Sequence, residues 1–377
     1  MARVVLLATV GLLGCGRIGI DAIPSEAGVL GDALRDAPTD GRAVPTAICK
    51  VDHIAFSLPP TLAQLAIAGI SEGYAAIWID PSGGKATQGL VLGPNHTQLG
   101  APVLPVIRGT QVGGLADAGQ KLALATSDGT TQSTWVLGRD LTTVEPSSTL
   151  TGSVLAHDPF PTDDSQQPRL FLAGAGTSVT AALLASDGTI NTASTVSHAT
   201  TGPVTGVACA NGPNHAHCAW TEDLPDTNGA SRCTASDVIM RPLGIPPSGS
   251  ALSDDCHDVR TSSGPSAADS VFVVWTTSDH RVQGRYLSAA TAPVVDLAAA
   301  GSAPRVQFDG TRFWIAWLDG NAKLRLTSYD LDGTVVPYLL TDWVPRGPAA
   351  FQLVRRSNET VLALISAFGL ELLTICS

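Results

Sequence analysis

Phe313-Trp314-Ile315-Ala316-Trp317-Leu318 is apolar at every position, and Asp319 ends the run. Successive side chains of an extended strand point to opposite faces. Phe313, Ile315 and Trp317 therefore share one face, and Trp314, Ala316 and Leu318 share the other. A strand in a simple two-layer sandwich buries one face and alternates apolar with polar residues. This segment demands apolar cover on both sides. The stretch that follows, Lys323-Leu324-Arg325-Leu326-Thr327, does alternate, as expected of a strand nearer a rim. Asp332-Gly333-Thr334 then supplies a hairpin turn, as Asp187-Gly188-Thr189 does earlier in the chain.

Runs of the same kind recur along the sequence: Tyr74-Ala75-Ala76-Ile77-Trp78-Ile79-Asp80, Leu122-Ala123-Leu124-Ala125-Thr126-Ser127-Asp128 and Leu170-Phe171-Leu172-Ala173-Gly174. Three more are His217-Cys218-Ala219-Trp220-Thr221-Glu222, Val271-Phe272-Val273-Val274-Trp275-Thr276 and Val361-Leu362-Ala363-Leu364-Ile365. Aligned on Trp78, Ala125, Ala173, Trp220, Trp275, Trp317 and Ile365, the seven runs recur every 42 to 55 residues. That period belongs to four-stranded propeller blades. The runs are Gly-punctuated and lack a 3.6-residue period, which excludes a solenoid of helix pairs. The expected fold is all-β, a seven-bladed β-propeller of four-stranded blades. The body, residues 46–377, is read as one repeat domain.

The last repeat ends with Leu370–Cys376, which reads as a third strand, so its fourth must come from elsewhere. Residues 47–57 precede the first repeat and can supply it, closing the ring. Cys49 and Cys376 would then lie on neighbouring strands and staple the chain ends. Such a bridge removes roughly 5 kcal/mol of unfolded-state entropy on the chain-entropy model. By the same logic Cys209 pairs with Cys218 across an inner hairpin, and Cys233 with Cys256 between the outer strands of the fourth repeat. Setting Cys15 aside, these six are all the cysteines, and an even count suits an oxidising compartment. No Cys-x-x-Cys occurs, so no zinc site of that type is expected.

The other end of the chain carries an address. Met1-Ala2-Arg3 precedes an apolar run from Val4 to Leu13, the parts of an export signal. Ten residues rise only about 15 Å in a helix, half of what spans a bilayer core. Leu12-Leu13-Gly14-Cys15 resembles the lipobox of bacterial lipoprotein signal peptides, in which the Cys becomes the lipidated first residue. The resemblance implies a signal peptide over 1–14, lipidation at Cys15, and attachment to the membrane through that lipid. Gly16 follows where enterobacterial lipoproteins kept at the inner membrane tend to have Asp, which implies the outer membrane. Residues 15–45, with Pro24, Gly28, Gly31, Pro38, Gly41 and Pro45, read as the lipidated Cys and a flexible tether.

The formal net charge is −11, which argues against nucleic acid as a partner. Basic residues are 18 Arg and only four Lys, and Ala, Gly and Pro abound, a bias of GC-rich coding. Candidate chemistry concentrates in turns. In propellers, ligands meet the face formed by loops that leave the second strand and loops that enter the first. Asp80, Glu222 and Asp319 stand where such loops begin, and Asp128 and Asp279 lie near the same point. Repeated carboxylates could surround a cation or hydrogen-bond a sugar, although Asp more often accepts N–H bonds within its own turn. The loop Thr221–Arg232, which includes Asp223, is the longest of the set and the favoured contact element. His215-Ala216-His217 has i, i+2 spacing that could face a metal, but no third ligand can be named and an exposed turn is expected.

Catalytic motifs are missing: no Gly-x-Ser-x-Gly, His-Glu-x-x-His or Gly-x-x-x-x-Gly-Lys-Ser/Thr occurs. Ser127-Asp128-Gly129-Thr130 looks a little like the Asp-box turn of sialidases, with different spacing and no assignable arginine triad or tyrosine nucleophile. Asp163-Asp164 and Asp254-Asp255 read as solvated loop residues. No catalytic residue, cofactor or metal is therefore expected. The lipobox together with repeats such as Trp317-Leu318-Asp319-Gly320 and Tyr329-Asp330-Leu331-Asp332-Gly333-Thr334 is similar to uncharacterised propeller lipoproteins of GC-rich bacteria. The leading expectation is a monomeric, non-enzymatic binding or scaffold lipoprotein facing the periplasm or the cell exterior. Its partner would be an envelope protein, a glycan or a cell-wall component. The alternative is a carbohydrate-directed enzyme, hydrolase or lyase, working through the loop carboxylates.

Overall fold

The structure is a computed structural model. It describes residues 47–376 except 56–62, 80–86, 103–106, 108–110, 118–120, 143, 152–153, 158–168, 185–188, 212–214, 225–229, 241–242, 246–248, 266–269, 288–292, 339 and 341–342. The signal segment, Cys15, the tether, Asp80, Asp163-Asp164 and the Asp187-Gly188 turn lie outside the described residues.

Every described element is a strand. β1 (Ile48–Ile54) is followed by β2 (Gln64–Ile70), β3 (Gly73–Ile79) and β4 (Thr87–Leu92), which form blade 1. Blade 2 holds β5 (Gln111–Asp117), β6 (Lys121–Ser127), β7 (Thr131–Gly138) and β8 (Val144–Thr151). Blade 3 holds β9 (Val154–His157), β10 (Arg169–Ala175), β11 (Ser178–Leu184) and β12 (Ile190–Ala199). Blade 4 holds β13 (Val204–Asn211), β14 (His215–Asp223), β15 (Ser231–Met240) and two short outer pieces, β16 (Leu243–Gly244) and β17 (Ser250–Ser253). Blade 5 runs β18 (His257–Ser263), β19 (Val271–Thr276), β20 (Val282–Leu287) and β21 (Val294–Ala298). Blade 6 runs β22 (Ser302–Phe308), β23 (Arg312–Leu318), β24 (Leu324–Asp330) and β25 (Val335–Tyr338). Blade 7 runs β26 (Phe351–Arg356), β27 (Glu359–Ser366) and β28 (Gly369–Ile375), and β1 completes it from the other end of the chain.

The innermost strands β2, β5, β9, β13, β18, β22 and β26 touch in that order, and β26 returns to β2. The ring is closed, a seven-bladed β-propeller. All seven aligned runs of the sequence are second strands, and the reason is visible in their burial. β3, β19 and β23 are buried along nearly their whole length, and Trp78, Trp220, Trp275 and Trp314 are among the largest fully buried side chains. Each blade has a neighbour on both faces, so apolar residues of both parities leave water. Seven apolar clusters result, one per pair of adjacent blades. Fully burying one Leu, Ile or Phe is worth about 1.5–3 kcal/mol.

Three local details refine the expected architecture. β24 alternates over Leu324–Leu326, as expected, and then buries Thr327 and Ser328 in succession, where Thr327 Oγ1 donates 2.8 Å to Val336 O on β25. Blade 1 has three strands among the described residues rather than four. Blades 3 and 4 share hydrogen bonds, since β9 pairs in parallel with β13 at Val207↔Ala156 and Ala208↔His157.

The closing strand pairs antiparallel with β28, from Ile48↔Ile375 to Ile54↔Leu370. Cys49 is bonded to Cys376, and Cys209 to Cys218 directly across the β13–β14 ladder. Cys233 is bonded to Cys256, but Cys256 is not on an outer strand. It lies in the link between β17 and β18, so this bridge fastens the third strand of blade 4 to the segment entering blade 5. Two hairpins need glycine. A Cβ on Gly73 (φ +146) would sit 2.0 Å from Leu92 O, and one on Gly369 (φ +130) 2.3 Å from Ile54 O.

Candidate functional site

Antiparallel order puts the ends of second strands and the starts of innermost strands on one face of the ring. The acidic turn residues lie there, and hydrogen bonding decides what they can do. Asp128 follows β6 and accepts from Thr130 N (2.8 Å), Thr131 N (2.7 Å) and Thr130 Oγ1 (2.8 Å). Those backbone donors hold its carboxyl below the usual range. Asp279 follows β19 and accepts from Thr277 Oγ1 and, at 3.1 Å, from Arg281 Nε; the Thr277 hydroxyl first, with help from Arg281, lowers its pKa. Asp319 accepts from Asn321 N (2.8 Å) and Lys323 N (3.0 Å), and Arg325 Nη2 stands 2.5 Å away. Each carboxylate closes its own turn.

Glu222 and Asp223 are not loop residues. They end β14, opposite Arg232 and Ser231. Glu222 is buried and accepts from Thr201 N (2.7 Å), Gly202 N (3.2 Å) and Thr234 Oγ1 (3.4 Å), tying the segment entering β13 to the second and third strands. Asp223 accepts from Ser231 Oγ at 2.8 Å. The intervening residues 225–229 of the long loop lie outside the described residues. His215-Ala216-His217 is not an exposed turn either. All three residues belong to β14, and His217 is buried with Nδ1 2.5 Å from Asp237 Oδ1 across the ladder. Asp254 and Asp255 are engaged as well: Arg232 Nε donates 2.8 Å to Asp254, while Ser278 N and Oγ donate 2.8 and 2.9 Å to Asp255. Among the described residues no three His, Cys, Asp or Glu side chains come together as a metal-ligand set.

On the same face, a small recess with room for about 10 Å³ lies where the innermost strands of blades 6, 7, 1 and 2 begin. Leu65, Val112, Gly113, Arg305, Phe351 and Gln352 line it. Arg305 donates to the carbonyls of Ala303 (3.3 Å), Pro304 (2.8 Å), Pro348 (2.9 Å) and Phe351 (3.3 Å), with its guanidinium 5.0 Å from the Phe351 ring centroid. It buckles blade 6 to blade 7. Gln352 Oε1 accepts from Ile67 N at 3.1 Å and Gln64 Oε1 from Val112 N at 2.7 Å, repeating the tie between blades 7 and 1 and between 1 and 2. The mouth of the ring is thus a rigid rim of side-chain-to-backbone bonds.

Sequence reasoning missed three ionisable groups. Glu371 on β28 is buried; its Oε1 accepts from Ser366 Oγ and its Oε2 has no hydrogen-bond partner. Burial pushes its carboxyl up, against the pull of Ser366 and His53. Phe368, at the tip of the same hairpin, is 74% exposed. His53 is 3.9 Å from Glu371 and its ring centroid 6.0 Å from that of Trp343. On the opposite face His96 lies buried between Asp52 and Glu359. No local motif marks these groups, because their partners come from opposite ends of the chain.

The chain matches no protein-family model and no curated protein. Its fold is similar to solved propellers. The β-propeller domain of the Trilobed protease from Pyrococcus furiosus superimposes with a TM-score of 0.52 at 8% identity, covering 83% of this chain and 95% of that one. BBS1N, solved in complex with ARL6DN, gives 0.54 at 10% identity, covering 89% and 98%. At such identities the likeness concerns fold alone. The protease propeller is described as having an open velcro topology; here the N-terminal strand joins the C-terminal blade.

Proposed function

We propose that this chain is an exported bacterial lipoprotein that works as a non-enzymatic binding or scaffold module, offering one face of the propeller to a partner. The observation that carries the reading is the closure of the ring: the strand next to the N-terminal segment is covalently clasped to the last strand by Cys49–Cys376. A segment attached there is fused to a rigid body rather than to a loose end. The three disulfides favour an oxidising, non-cytoplasmic compartment. The Leu12-Leu13-Gly14-Cys15 lipobox supplies the anchor, and Gly16 favours the outer membrane. The exposed Phe368, at the tip of the β27–β28 hairpin, suits a partner in the envelope, whether protein, glycan or cell-wall polymer.

The enzymatic alternative drew on the loop carboxylates. Those that are described are held by donors of their own turns or, for Glu222, of neighbouring segments, so a reaction would first have to release them.

Detergent-phase partition of the protein expressed in a Gram-negative host tests the anchor. Wild type is expected in the detergent phase and Cys15→Ser in the aqueous phase; equal partition contradicts lipidation. Co-sedimentation with purified cell-wall sacculi, and saturable capture of a single envelope component, test the binding role. Turnover of a glycan by the purified protein would overturn it.

A further inference from the structure

The three disulfides differ in what surrounds them. Cys209–Cys218 belongs to the apolar cluster between blades 3 and 4, and Cys233–Cys256 to the one between blades 4 and 5. Those four cysteines are 0–1% exposed. Cys49, on β1, and Cys376, just past the end of β28, are both exposed to solvent.

The strand that this exposed bridge holds is the least buried of its blade. Only Ile54 of the seven residues of β1 is buried. β1 pairs with β28 on one side, and among the described residues no strand pairs with its other edge. The ladder shifts register between Ile48 and Lys50, at the position of Cys49. Apart from the ladder and the bridge, a few polar contacts tie β1 down. Cys376 N donates 2.8 Å to Ala47 O, Lys50 Nζ donates 3.2 Å to Asn95 O, and Asp52 Oδ2 lies 2.6 Å from His96 Nδ1. A strand with so little apolar cover opens locally at low cost unless it is cross-linked.

We propose that Cys49–Cys376 is a site of thiol–disulfide exchange in the native protein, a redox latch on β1 that a dithiol opens while the two buried bridges stay closed. One thiolate of the dithiol attacks a sulfur of the exposed bridge. A mixed disulfide forms as the S–S bond breaks, and the displaced sulfur leaves as a thiolate that takes a proton from water. The second thiol of the dithiol, once deprotonated, attacks the mixed disulfide and releases the other cysteine. Two electrons pass in all: the dithiol is oxidised to a disulfide and the cysteine pair is reduced to two thiols. At the buried bridges the surrounding apolar side chains deny the attacking sulfur an approach. Opening the latch leaves the ring standing, because β26 still touches β2 and the apolar core of that seam is unaltered. The change is confined to β1, which frays from its Ile48 end.

Differential alkylation of the full disulfide-bonded protein, incubated with dithiothreitol in the absence of denaturant, tests this. Cys49 and Cys376 are expected to be alkylated together, and Cys209, Cys218, Cys233 and Cys256 only after unfolding. Hydrogen exchange of the same sample should show loss of protection over Lys50–Ile54 relative to β19, and its return on reoxidation. Alkylation of the four buried cysteines at the same rate overturns the proposal, as does a Cys49–Cys376 bridge that resists dithiothreitol until the protein unfolds. Unchanged protection of Lys50–Ile54 after reduction of that bridge also overturns it. In the double variant Cys49→Ser, Cys376→Ser, dithiothreitol should no longer alter exchange in β1, and a persisting response there would contradict the assignment. The wild-type measurements decide the matter whether or not the variant folds.

Discussion

At the scale of single residues, the carboxylates divide by what they hold. Asp309, in the β22–β23 turn, accepts from Thr311 N (2.7 Å), Arg312 N (2.9 Å), Thr311 Oγ1 (2.8 Å) and Trp314 Nε1 (2.7 Å). Asp128 makes the same turn bonds but is exposed, and no indole depends on it. Asp309→Ala is therefore expected to cost about 2 kcal/mol, because it strands a buried indole N–H, and Asp128→Ala less than about 1 kcal/mol. Denaturant unfolding measures both; equal losses contradict the assignment. Glu371 behaves in the opposite sense to a paired carboxylate. Its folded pKa is raised above the ordinary value of 4.5, so the native state holds a proton the unfolded state has lost. Stability from this group is complete below that value and falls as pH rises through the folded pKa. Thermal unfolding from pH 4 to 8 should show the wild type losing stability relative to Glu371→Gln; parallel curves would contradict the burial argument.

At the scale of elements, the second strand of each blade carries the fold. Trp314→Ala, in β23, removes an indole packed at the seam of blades 6 and 7 and should cost about 3–5 kcal/mol. Gly73→Ala should be at least as damaging, since its Cβ meets the Leu92 carbonyl with no side chain to move aside; circular dichroism melts would show both. The second strands were legible in the sequence because burial on both faces leaves continuous apolar runs such as Val271–Thr276. Closure was legible because a third strand at the end of the chain needs a partner. Outer strands were not. β16 and β17 are only two and four residues long. Site chemistry was the least legible. Asp128, Asp279 and Asp319 have the residue type of a ligand site, yet their bonds are to neighbours two to four residues on, which a sequence shows only as turn residues. His96 meets β1 and β27, a pairing that exists only once the ring is closed.

At the scale of the whole molecule, seven seams and one covalent clasp hold the ring. The seam of blades 7 and 1 has an apolar core of its own, including Tyr74, Trp78, Leu90, Val361 and Leu372. Replacing Cys49 and Cys376 by Ala should therefore leave the ring assembled by this core and the β1–β28 ladder, while removing up to roughly 5 kcal/mol of stability. The most direct test of the closed seven-bladed ring is a disulfide map of the purified protein under non-reducing conditions. A peptide containing Cys49 should be recovered linked to the C-terminal peptide containing Cys376. Cys49 linked to any other cysteine, or found as a free thiol, would contradict closure by the N-terminal strand.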